Sequence, residues 1–166
     1  MQIKEYAAKY DPQNQFDVLI NTSKQVEFAW GNKFKIDGIN SSELSNIVIS
    51  GLGGSAISAD LIKNFLSDEV SIPIVVNRNY NLPKFANKNT LFIASSYSGN
   101  TEETISSLKQ AIEIGCKVVC ITTGGEIETI AKYILCKSSN RISTTLLTWI
   151  KFLFVVKSFS KFKSCL

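Results

Sequence analysis

Six hydroxyl side chains and one glycine crowd the ten residues "SSYSGNTEET", Ser95 to Thr104. The stretch follows the apolar run "TLFIA" and precedes a segment of helical periodicity. Ser and Thr hydroxyls are neutral hydrogen-bond donors. A helix that starts beside them adds unpaired N–H groups and the positive end of its dipole. Phosphate, with several strong acceptor oxygens, suits such a fan of donors. Asn100 or Thr101 can cap the following helix, with Glu103 completing the reciprocal pattern. Capping accounts for one or two hydroxyls and leaves Ser95, Ser96 and Ser98 over. No Lys or Arg lies in the loop, so an anion would be held by neutral donors and the dipole.

Two further loops share this design. In "GLGGSAIS", Gly51 to Ser58, three glycines let the backbone turn sharply and approach a ligand closely, and Ser55 opens a helix. "TTGGE", Thr122 to Glu126, repeats the order of hydroxyls, glycines and helix. One such loop alone reads as a tight turn with a cap; three at one edge favour a ligand. A dinucleotide is the rival ligand, since Gly51, Gly53 and Ala56 satisfy G-x-G-x-x-A after a strand. The next strand, "IPIVVNRNY", ends on Asn77 and Arg78 rather than on the acid that would hold a ribose. An NADP-type oxidoreductase site survives that test but leaves "SSYSGNTEET" without a purpose. The chain has no G-x-x-x-x-G-K-[ST], so a P-loop is excluded.

The elements that must position these loops are legible from periodicity. Phe16, Leu19, Ile20, Val26, Ala29 and Trp30 predict an amphipathic helix over ~14–31. Apolar runs predict strands near 47–50, 72–76, 91–95 and 117–121, alternating with helical segments. One of these presents Ile105, Leu108, Ala111 and Ile112 and stops at Gly115. Buried strands alternating with helices imply a doubly wound parallel sheet flanked by helices, a three-layer αβα sandwich. Ligands of such sheets sit at the carboxyl ends of the strands, where all three loops lie.

The segments "GLGGSAISADL", "SSYSGNTEETISSLKQA" and "ITTGGEIETIAK" resemble the N-terminal sugar isomerase (SIS) domain of bifunctional phosphoglucose/phosphomannose isomerases. "KYDPQNQFDVL" and "VVNRNYNLP" extend the resemblance over residues ~5–132. It implies that Gly53, Gly54, Ser55, Ser96, Ser98 and Thr101 hold the phosphate of a phosphorylated hexose. It also implies isomerisation of glucose 6-phosphate or mannose 6-phosphate to fructose 6-phosphate, with no cofactor or metal, and a homodimer for full-length members. The family's general base and ring-opening histidine belong to a second SIS domain, and this sequence has no histidine. No catalytic residue is therefore expected within it, and a chain inactive alone is the expectation. A non-catalytic phosphosugar-binding module is the alternative.

The chain divides into an N-terminal helical segment (1–43), the SIS domain (44–132) and a tail (133–166). Of 166 residues, 18 are Lys or Arg and 14 are Asp or Glu, a net +4. Residues 1–128 hold all 14 acids and 11 of the bases (−3), whereas 129–166 hold seven bases and no acid (+7). Such a tail ordinarily points to nucleic acid or a membrane surface; here a frame change fits better. Family members continue with a strand and a loop resembling L-P-x-G-F-Q-P-R-Y-x-L-G-L, where this chain has "SSNRISTTLLTWIKF". Synonymous codons chosen for Ser139 onward, read one base later, give P-T-G-F-Q-P-R-Y-S-L-G-L-S. The expectation is a tail out of frame from about Tyr133, with neither nucleic acid nor membrane as partner. "LLTWIKFLFVV" is too short to span a bilayer. With no secretory leader pattern and no C-x-x-C pair among Cys116, Cys120, Cys136 and Cys165, a cytoplasmic protein with buried thiols is expected.

Overall fold

The computed structural model describes residues 3–21, 23, 24, 27 and 39–132. Two short helices come first, α1 (Ile3–Tyr10) and α2 (Gln15–Ile20). The Asp11 carboxylate accepts from the N–H groups of Gln15 (2.8 Å) and Phe16 (2.7 Å) and so starts α2. Those two bonds hold the Asp11 carboxyl below its ordinary value of 3.8. The helix closes at Asn21, whose amide donates back to Asp17 O (2.7 Å), and helical backbone resumes at Ser23, Lys24 and Glu27, so the expected helix over ~14–31 is interrupted at this point. The rest of that expected helix falls largely outside the described residues, as does the whole tail 133–166.

Strands β1 (Asn46–Ser50), β2 (Ile74–Asn77), β3 (Thr90–Ser95) and β4 (Lys117–Ile121) follow, with helices α3 (Gly54–Phe65), α4 (Glu102–Ile114) and α5 (Gly125–Ala131). All strand pairs are parallel and the order is β2-β1-β3-β4. β1 thus lies between β2 and β3, and the winding direction reverses across the β1/β3 pair. The sheet is the expected parallel one, with helices on both faces.

Alternation along the strands divides the core in two. Ile47 and Ile49 of β1, Leu91 and Ile93 of β3, and Val119 and Ile121 of β4 face the side packed by Ala59, Ile62 and Leu66 of α3 and its exit. Val48, Phe92, Ala94 and Cys120 face Ile105, Leu108 and Ala111 of α4 and Ile127 and Ala131 of α5. The β2–β3 crossover, residues 78–89, contains no helix. It lays Leu82 and Ala86 into the second core instead. Gln110 of α4 anchors it, donating to Tyr80 O (2.8 Å) and accepting from Leu82 N (3.0 Å). Cys116 and Cys120 are buried and neither is in a disulfide, and burial pushes the Cys116 thiol up. Among the described residues no helix is long and apolar enough to cross a membrane.

Candidate functional site at the strand switch point

The loops after β1 and β3 meet where the winding reverses, the usual ligand position in open α/β sheets. Gly51 N donates to Asn77 O at the end of β2 (3.2 Å). On its other side, a β-carbon on Gly51 would sit 2.7 Å from Ser95 O and 3.1 Å from Ser55 Cβ. Gly53 adopts φ 53°, ψ −129°, a combination closed to residues with a β-carbon, and forms the N-cap of α3. Its carbonyl accepts from Ala56 N (3.1 Å) and Ile57 N (3.0 Å), and Ser55 N donates to Leu52 O (3.1 Å). Gly53 and Gly54 are exposed and Ser55 is half-buried at this rim. No side chain caps α3.

The second loop is organised from within. Ser96 is buried. Its hydroxyl lies 2.8 Å from that of Thr101 and accepts from Gly99 N (3.1 Å). Ser98 is exposed, and its hydroxyl accepts from Asn100 N (3.2 Å). Thr101 is the N-cap of α4 by backbone geometry, yet its side chain makes no cap bond. The expected Asn100/Thr101–Glu103 capping pattern does not form, because Thr101 turns to Ser96 instead. Ser95 is buried at the end of β3. The structure therefore joins Ser96 to Thr101, leaves Ser98 facing solvent, and sets Ser55 beside Gly51 across from Ser95 O.

The third loop departs from the expected ligand-facing role. Its helix, α5, is already capped by the second loop. Ile127 N donates to Gly99 O (3.0 Å) and Glu126 N to the Asn100 side-chain oxygen (3.0 Å). Thr123 donates twice to Tyr97 O, from its N–H (3.2 Å) and its hydroxyl (2.6 Å). The Thr122 hydroxyl closes a local turn on Gly124 O (2.9 Å). These hydroxyls hold backbone rather than wait for a ligand. Spacing alone cannot show this, since Asn100 and Glu126 stand 26 residues apart.

Charge at the rim is acidic. Glu102 and Glu103 occupy the first turn of α4, where the helix dipole favours them. The Tyr80 hydroxyl donates to Glu102 (3.2 Å). That bond, with the charge of Glu103, raises the phenol above its ordinary 10.0. Arg78 is paired with Asp60 of α3. Lys109 of α4 and Glu126 of α5 form an exposed ion pair at 2.8 Å. Among the described residues no group of His, Cys, Asp and Glu is arranged to hold a metal ion.

Comparison with known proteins agrees with this architecture. The bifunctional phosphoglucose/phosphomannose isomerase of Caldicellulosiruptor bescii is 41% identical over 119 residues, covering 70% of this chain and 35% of that protein. The Thermoplasma acidophilum protein of the same name is 43% identical over 97 residues, 58% of this chain and 30% of its own length. The chain thus spans about a third of the length of the curated relatives it matches. A phosphoheptose isomerase structure from Francisella tularensis shares the fold, with TM-score 0.61 at 12% identity, over 87% of this chain and 95% of that one. The SIS domain model matches residues 42–156. More than half of the sequence lies inside that match, and the chain belongs to the SIS domain family.

Proposed function

We propose that the loops at the β1/β3 switch point bind the phosphate of a hexose phosphate. They would serve an aldose–ketose isomerase that interconverts glucose 6-phosphate or mannose 6-phosphate and fructose 6-phosphate. The names of the relatives support the substrate class. One observation carries the binding reading: α3 and α4 both begin at the switch point with no side-chain cap. Two uncapped helix N-termini on adjacent strands, bordered by Ser55, Ser98 and Thr101 hydroxyls and by the Gly53–Gly54 backbone, suit a phosphate. Arg78 is engaged by Asp60, which weakens its candidacy as a partner for the 2′-phosphate of NADP.

Isomerisation moves a proton between the first two sugar carbons through an enediol(ate), and it requires a positioned base. The binding loops offer glycines, hydroxyls and amides. The sequence contains no histidine. The part assigned to these residues is to anchor and orient the phosphate end. The same features favour a second reading, a module that senses a phosphosugar without turning it over.

Calorimetric titration of the full chain with fructose 6-phosphate, fructose and NADPH, followed by a turnover assay, tests the assignment. Binding of the phosphosugar but not of the free sugar is expected. Binding without turnover would favour the sensing module. Heat from NADPH alone would overturn the phosphosugar reading.

A further inference from the structure

The second and third loops are built as one body. Gly99 packs so closely on Gly124 that a β-carbon there would overlap the Gly124 carbonyl. Gly125 packs as closely on Ser98 O and the Asn100 side chain. Around this contact, Asn100 and Gly99 cap α5, Thr123 takes Tyr97 O twice, and Ser96 N donates to Ile121 O (3.0 Å). Every residue from Ser96 to Asn100 is thereby bonded to, or packed against, the 121–127 segment. Thr101 is tied in through the Ser96 hydroxyl.

From this we infer that Asn100 is a positioning residue. Its side-chain oxygen latches the second loop to the N-terminus of α5, and the latch fixes the directions of the Ser98 and Thr101 hydroxyls and of the first amides of α4. The Asn100 side-chain oxygen is taken by Glu126 N, so it holds backbone rather than ligand. It couples the turn after β4 to the anion site after β3. The coupling is short: Asn100 N donates to the Ser98 hydroxyl, and the Asn100 side chain accepts from Glu126 N. Release of the second bond frees the residue that makes the first. The exposed setting of Asn100 makes the latch separable from the core.

The consequence for binding rests on the phosphosugar reading; the consequence for loop shape does not. Two variants of the full chain therefore meet two measurements. Asn100→Ala removes the acceptor, whereas Asn100→Asp keeps one in place at a helix N-terminus, where negative charge is favoured. Amide hydrogen exchange at Gly99 and Glu126 should accelerate about five-fold or more in the alanine variant and stay near wild type in the aspartate variant. Affinity for fructose 6-phosphate should fall about ten-fold in the first and be retained in the second. Unchanged exchange in Asn100→Ala overturns the latch, whatever the ligand result. Accelerated exchange with unchanged affinity overturns its positioning role. If the wild type binds no hexose phosphate, the functional proposal falls, and exchange alone then upholds or overturns the latch.

Discussion

The serines of the second loop divide by what their hydroxyls already hold. Ser96 is buried and bridges Thr101 and Gly99 N. Ser98 is exposed and gives its oxygen to Asn100 N while its proton stays available. Ser98→Ala should weaken fructose 6-phosphate binding about ten-fold, since a hydrogen bond to a charged group contributes about 1.5–3 kcal/mol, and should leave the melting temperature nearly unchanged. Ser96→Ala should lower both, with roughly 1 kcal/mol of stability lost. Paired calorimetry and thermal melts separate the two; equal losses of affinity at Ser95, Ser96 and Ser98 would reduce all three to turn formers. With no histidine in the chain, the pH dependence of binding near neutrality should follow the ligand. Affinity should rise through about pH 6 as the phosphate becomes dianionic. A second inflection between pH 6 and 8 would place a titrating group in the site that these residues do not supply.

Helix ends show most clearly what local sequence specifies. Gly115, expected as the stop of α4, is its C-cap at φ 81°, and a β-carbon there would touch nothing within 4 Å. Gly115→Ala should therefore cost only the conformational penalty, about 1 kcal/mol, read from denaturant midpoints. Asp11 gives a pH test. Its folded pKa is lowered, so its contribution to α2 is present above the unfolded value of 3.8 and is lost as pH falls through the folded one. Amide protection at Gln15 and Phe16, relative to the intrinsic exchange rate at each pH, should fall over that acid range in wild type and be low at all pH in Asp11→Ala. Capping at α4 and α5 was less legible. Thr101 and Asn100 are both competent caps, and only tertiary contact shows that one turns to Ser96 and the other to α5. Strand β2 begins at Ile74, later than the apolar run suggests, because Pro73 has no N–H for the ladder and supplies only its carbonyl, to Ile47 N (2.9 Å).

At the scale of the molecule, parallel pairing was readable because buried parallel strands are continuous apolar runs, and β1 and β3 are buried at every position. Strand order was not, since apolar runs carry no information about their neighbours. Yet the order β2-β1-β3-β4 is what brings Gly51 against Ser95. That contact separates the site from the core by experiment. A β-carbon at Gly51 would lie 2.7 Å from Ser95 O, a backbone atom, so Gly51→Ala must part the two loops at the switch point. The expected cost is about 1–3 kcal/mol of overpacking, together with a loss of phosphosugar affinity larger than at Ser98 alone, because donors from both loops move. Leu108→Ala provides the opposite case. Leu108 is fully buried beneath α4, and its truncation should cost about 2–5 kcal/mol. Well below the lowered melting temperature, affinity should nonetheless stay near wild type. Calorimetry on both variants at one low temperature reads the difference directly. Comparable affinity losses at Gly51 and Leu108 would mean that binding follows overall stability, and that the β1/β3 junction is not where the ligand sits.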